Sequence, residues 1–161
     1  MPVGSIHLAH YAFTVYGVIM TYSLGNPTMA TLFAAGLIFL LALVLGIWKY
    51  RQMATSPDHL AHPYVDVAHR AALLYSFATL LLAVFVELSA WPDWVNSTAA
   101  ATVILFFVGA IISYIIHGAK RDTTNQLSQP GRSIHVAMWA LIIAEIGGFV
   151  VLLAGFLRGW L

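Results

Sequence analysis

Apolar residues run along this chain in blocks rather than in alternation. Five stretches stand out, roughly Ser5–Leu24, Met29–Trp48, Val67–Ala90, Ala99–Gly118 and Ser133–Leu157. Each is close to the ~20 residues that cross the hydrocarbon core of a bilayer as a helix. Inside that core only helices and closed barrels satisfy their own backbone. Barrel strands alternate apolar and polar positions, and these runs do not, so they predict helices. The first stretch holds His7, His10 and three tyrosines and fits an interfacial position as well as a span. The expected fold is all-α, a polytopic transmembrane bundle of five helices, or four if the first stretch is interfacial.

Polar breaks separate the runs and carry turn chemistry. Gly25-Asn26-Pro27 is a tight turn, Ser56-Pro57-Asp58 and Pro63 mark the second loop, and Trp91-Pro92-Asp93-Trp94 ends the third stretch. Tryptophans of that kind suit a membrane–water boundary. The segment from Asp122 to Gly131 is polar and closes on Pro-Gly. No repeat divides the chain, which reads as one domain, 1–161. The start lacks the basic region and small-residue cleavage site of a signal peptide, so the first stretch is expected to be retained.

Composition supports the membrane reading. Hydrophobic residues are 61% of the 161 and charged residues 8%, against about a quarter charged in a soluble domain. A net charge of +1 gives no reason to expect nucleic acid. With no cysteine, disulfides, thiolate haem ligation, iron–sulfur clusters and covalent haem attachment are excluded. Lys49, Arg51, Arg70, Lys120, Arg121 and Arg132, six of the seven basic residues, fall on one side of the expected topology. The positive-inside rule makes that side cytoplasmic, in a bacterial-type inner membrane.

Histidines follow the same asymmetry. His7, His10, His59, His62, His69, His117 and His135 all fall at the cytoplasmic face. A single histidine beside a loop is by default a polar residue at an interface, but chance placement would divide seven between the faces. Neutral imidazole binds iron, copper and zinc, and axial histidines hold haem. His69 is the sharpest candidate because it lies within a helix, with His117 and His135 as the further haem-binding candidates. The two His-Leu-Ala-His stretches at 7–10 and 59–62 place pairs three apart, yet lack the His-His pairs of membrane di-iron hydroxylases. Glu87 and Glu145 are the acids set well inside apolar spans, where ionisable groups are costly. Tyr75 and Tyr114 lie within apolar helices near the histidine end. Gly147-Gly148 and the alanines at 99–101 are expected to permit close helix packing.

The order of several short pieces resembles the styrene oxide isomerase family of small membrane enzymes. Gly46-Ile47-Trp48, Ala68-His69, Tyr114, Asn125-Gln126 and Pro130-Gly131 stand in the family's order over about residues 35–157. The resemblance implies a trimer holding haem b between subunits and an aryl epoxide rearranged to an aldehyde, with iron as Lewis acid. It implies His69 as axial ligand and Tyr114 as a group orienting substrate or oxyanion. The family's catalytic asparagine falls at Tyr75 here, a departure that leaves the substrate open. An apolar substrate would enter from the lipid. The alternatives are a haem b electron-transfer or quinone-interacting subunit with two facing histidines, and a non-catalytic assembly or transport subunit in which Glu145 matters most.

Overall fold

The computed structural model describes the backbone of residues 11–15, 18–128 and 131–161, and the side chains of 23–128 and 131–161. Its body is four helices: α1 (Asn26–Thr55), α2 (Pro63–Leu88), α3 (Asp93–Lys120) and α4 (Arg132–Trp160). All four are long and apolar enough to cross a bilayer, which makes the chain a multi-pass membrane protein. The five-helix expectation is corrected to four among the described residues. In place of a first helix, β1 (Tyr11–Val15) and β2 (Val18–Tyr22) pair antiparallel, with Val15 opposite Val18. The physical reason lies in residue type: Tyr11, Phe13, Thr14, Val15, Val18, Ile19, Thr21 and Tyr22 are aromatic or β-branched, and such residues favour strands. A two-stranded ribbon leaves edge groups unpaired and cannot span hydrocarbon alone. His7 and His10 lie outside the described residues.

Helix ends follow local chemistry. Pro27 and Pro63 start α1 and α2 in the first turn, where a missing N–H costs nothing. His62 caps α2, its Nδ1 accepting from the Tyr64 N–H at 3.3 Å. In the second loop Asp58 accepts from the Ser56 hydroxyl and the Leu60 N–H. Those bonds, the Ser56 one foremost, hold its carboxyl below the ordinary carboxylate range. Arg121 ends α3 in the left-handed region, φ 53°, its N–H on the His117 carbonyl at 2.8 Å.

Small residues govern the packing. Ala42 and Leu45 of α1 meet Ala68 and Ala72 of α2 and Ile111 of α3 in one buried cluster. A second, toward the other membrane face, joins Leu82, Val86, Ala99, Ala100, Val103, Phe107 and Leu152. The exterior is as apolar as the interior: Phe33, Leu74, Leu105 and Ile143 are each more than two-thirds exposed. Water would forbid that surface, whereas lipid requires it.

Among the described residues, α4 is fastened at one end. The loop at 89–91 holds it: Ala90 N–H donates to the Gly155 carbonyl at 3.0 Å, Trp91 Nε1 to the Val151 carbonyl at 2.9 Å, and Arg158 lies 4.8 Å over the Trp91 ring. Gly148 lets α4 close on α3, since a Cβ there would stand 2.5 Å from Val103 Cγ2 and 3.1 Å from the Ala99 carbonyl oxygen. The expected close packing is thus found at Gly148 and Ala99, while Gly147 has open space beside it. Between Arg132 and Ala140, by contrast, every residue except Ile134 is exposed.

Candidate functional site

Because α4 is held at one end and free at the other, a cleft opens between α3 and α4 at the histidine end. Its volume is about 730 Å³. Leu105, Phe106, Met138 and Leu141 give it apolar walls. Leu105 and Met138 are themselves exposed, so the cleft is continuous with the lipid-facing surface. Its polar end comes from Ser113, Tyr114 and His117 of α3 and from Asn125 and Gln126 of the following loop.

That loop is tied down by a residue the sequence did not single out. Tyr64, buried in the first turn of α2, accepts from the Gln126 N–H at 2.7 Å through its hydroxyl. Its ring stands 6.0 Å from Tyr114, 5.4 Å from His117 and 6.2 Å from His62. Gln126 Nε2 donates onward to Ser113 Oγ at 3.4 Å. The available signal for Tyr64 was its position: an aromatic following a helix-starting proline, where the helix must pack. Gly118 completes the junction, since a Cβ there would press on Val65 and Trp48.

His117 Nδ1 lies 2.7 Å from Asp122 Oδ1. Beside a carboxylate, Nδ1 carries a proton, and in the neutral imidazole Nε2 is left as an acceptor. That bond is also the main reason the Asp122 carboxyl is held below its ordinary value. The Tyr114 hydroxyl has no hydrogen-bond partner among the described residues. The same holds for Tyr75, whose ring stacks face to face on Phe107 at 4.2 Å. Glu145 lies within electrostatic range of both tyrosines. Its Oε1 is shut off from solvent and has no hydrogen-bond partner among the described residues. Glu87, the other acid inside an apolar span, meets the start of α1: its Oε2 accepts from the Gly25 N–H at 3.3 Å.

His69 sits elsewhere, on the seam between α2 and α1. Its Nδ1 lies 2.9 Å from the Ala42 carbonyl oxygen, which must accept, so Nδ1 donates. Gly46 makes the approach possible: a Cβ there would be 3.0 Å from His69 Cε1. Lys49 and Arg70 flank the seam through Asp66, at 2.6 and 2.8 Å.

The five described histidines therefore share one end of the bundle without sharing a site. His69 is not in the lining of the α3–α4 cleft, His117 is, and His135 is exposed on the free part of α4. His59 is exposed with φ 56°, and His62 is a helix cap. Among the described residues no group of three or more metal-binding side chains converges. A haem needs only one protein ligand with a free nitrogen, and His69 meets that condition, Nδ1 being committed and Nε2 left over. No family model, no curated protein and no solved structure matches the chain, so the likeness to styrene oxide isomerases stands on the residues that carry it.

Proposed function

We propose that the protein is a membrane-embedded haem b enzyme that isomerises a small apolar epoxide to a carbonyl compound. The observation that carries the reading is the setting of His69. An Nδ1–H bonded to a backbone carbonyl is the arrangement that fixes tautomer and ring orientation in ligating histidines and leaves Nε2 for the metal. The contact involves Gly46 and His69, two residues on which the resemblance rests. When bound, the haem iron supplies a Lewis acid for the epoxide oxygen.

The chain's own residues do the rest. α2 positions the imidazole on a rigid helix, and Gly46 admits it against α1. Tyr114, and Tyr75 behind it, carry hydroxyls free to donate to an oxygen that gains charge. The α3–α4 cleft offers a path from lipid, and Phe106 gives it an aromatic wall that shelters developing positive charge. Because His69 is outside the cleft lining, the reading calls for a second copy of the chain at the site, in keeping with the trimer the resemblance implies. The membrane is the cytoplasmic membrane, with the basic, histidine-bearing loops inside.

A visible spectrum of the detergent-purified protein, produced with ample haem, tests it. The expected result is a b-type Soret band that His69→Ala abolishes and His59→Ala retains. A haem-free wild type, or a His69→Ala variant with an unchanged Soret band, overturns the reading.

A further inference from the structure

The α3–α4 cleft pairs an unpartnered donor with an oriented acceptor at one end of an apolar chamber. Tyr114 and His117 lie three residues apart on α3, and both line the cleft. Residues at that spacing share one helix face, their Cβ atoms about 5–6 Å apart, so a donor and an acceptor stand at the same end of the cleft. The Tyr114 O–H can donate to a ligand oxygen. His117 Nε2 can accept from it, because Asp122 holds the proton on Nδ1. An oxygen that satisfies both must accept one hydrogen bond and donate another. A hydroxyl does this. An ether can only accept, and would leave Nε2 unpaired.

Two further features match such a ligand. The walls beyond the polar end are Leu105, Phe106, Met138 and Leu141, which suit an aromatic or branched hydrocarbon body. The chamber's volume of about 730 Å³ falls within the roughly 300–1,000 Å³ typical of small-molecule sites. Its loop side is fixed by the bond from Gln126 N–H to the Tyr64 hydroxyl, so the polar end is built before a ligand arrives.

We infer that this cleft binds a lipid-soluble alcohol or phenol, its hydroxyl held between Tyr114 and His117 with Asp122 setting the histidine's tautomer. The inference does not rest on the haem. It concerns the α3–α4 cleft, whose lining does not include His69, and its readout is ligand binding rather than haem retention.

The test uses the full-length protein in lipid nanodiscs, with empty nanodiscs as the partition control. 2-Naphthol serves as a fluorescent probe and 2-methoxynaphthalene as its donor-less counterpart. Naphthol should bind saturably and at least tenfold more tightly than the ether. His117→Phe, which keeps an aromatic ring against Tyr64, should bring the two probes to within about twofold, and Asp122→Asn should weaken naphthol several-fold. Met138→Trp, which fills the cleft from an exposed position, should abolish saturable binding. His69→Ala should leave naphthol binding intact even if it removes the haem, which separates this inference from the proposed function. Equal affinity of the wild type for naphthol and its ether overturns the inference. So does naphthol binding untouched by Met138→Trp.

Discussion

Adding one methyl group at Gly148 should weaken the bundle, whereas adding it at Gly147 should not. At Gly148 the new Cβ would stand 2.5 Å from Val103 Cγ2 and 3.1 Å from the Ala99 carbonyl oxygen. Carbon atoms rest at about 3.5–4.0 Å, so α3 and α4 must part by about 1 Å or Val103 must leave its rotamer. Val103 is 2% exposed within the outer cluster, and the Ala99 oxygen is backbone, so neither yields cheaply. Overpacking of this kind costs about 1–3 kcal/mol. Replacing glycine in a helix returns up to about 1 kcal/mol, which leaves a net loss of up to about 2 kcal/mol. At Gly147 an added Cβ meets nothing within 4 Å among the described residues, and only the helix-propensity gain of up to about 1 kcal/mol remains. Two adjacent substitutions of the same chemistry should therefore move stability in opposite directions, about 2 kcal/mol apart. Unfolding of the purified protein by SDS, followed by circular dichroism, reads the difference. Equal effects, or a Gly148→Ala variant more stable than wild type, would refute the close approach of α4 to α3.

Three other outcomes are expected. Cysteines at Ser56 and Ser128 should react only with reagent that reaches the cytoplasm, because six of seven basic residues flank those loops; labelling from outside intact cells would reverse the orientation. Glu145→Gln should melt close to wild type while Glu145→Leu shifts packing around Tyr75 and Tyr114; if both variants match wild type in thermal stability, the carboxyl does not act inside the bundle. Asp122 is held below its ordinary carboxylate value chiefly by the His117 hydrogen bond. Its contribution to stability is therefore present above the unfolded value of about 3.9 and fades as pH falls through the lower folded value. Asp122→Asn should make the acid-side loss of thermal stability shallower, and an unchanged acid limb would show that the pair does not hold the end of α3.

Four of the five apolar runs became helices, because length and continuous hydropathy suffice to recognise a span. Their ends ran further than the apolar blocks. α1 continues from Trp48 past Lys49 and Arg51 to Thr55, since backbone hydrogen bonding persists into the polar zone until Ser56-Pro57 stops it. The first run misled for the opposite reason: hydropathy counts Tyr11, Phe13, Val15 and Ile19 alike whether they favour helix or strand. The gathering of His59, His62, His69, His117 and His135 at one end was legible from topology alone, while His7 and His10 lie outside the described residues. Which of them meet was not. In a water-soluble helix the apolar stripe shows which way each side faces. In a bilayer the outside is as apolar as the core, so rotation about the helix axis leaves little trace in sequence. Hence His69 could be placed at the correct end but not on the α1 seam, and Tyr64 went unnoticed although it joins α2, α3 and the loop beyond.

The one-ended fastening of α4 has a mechanical side. From Gly148, where α4 bears on α3, to Arg132 at its free end is sixteen residues, about 24 Å of helix at 1.5 Å per residue. That length is a lever arm with its fulcrum in the outer half of the bundle. A tilt of about 5° at the fulcrum displaces the free end by about 2 Å, enough to widen or narrow the histidine end of the cleft. Helices change tilt by such amounts to match bilayer thickness. The aperture of the cleft is thus set partly by the lipid around it.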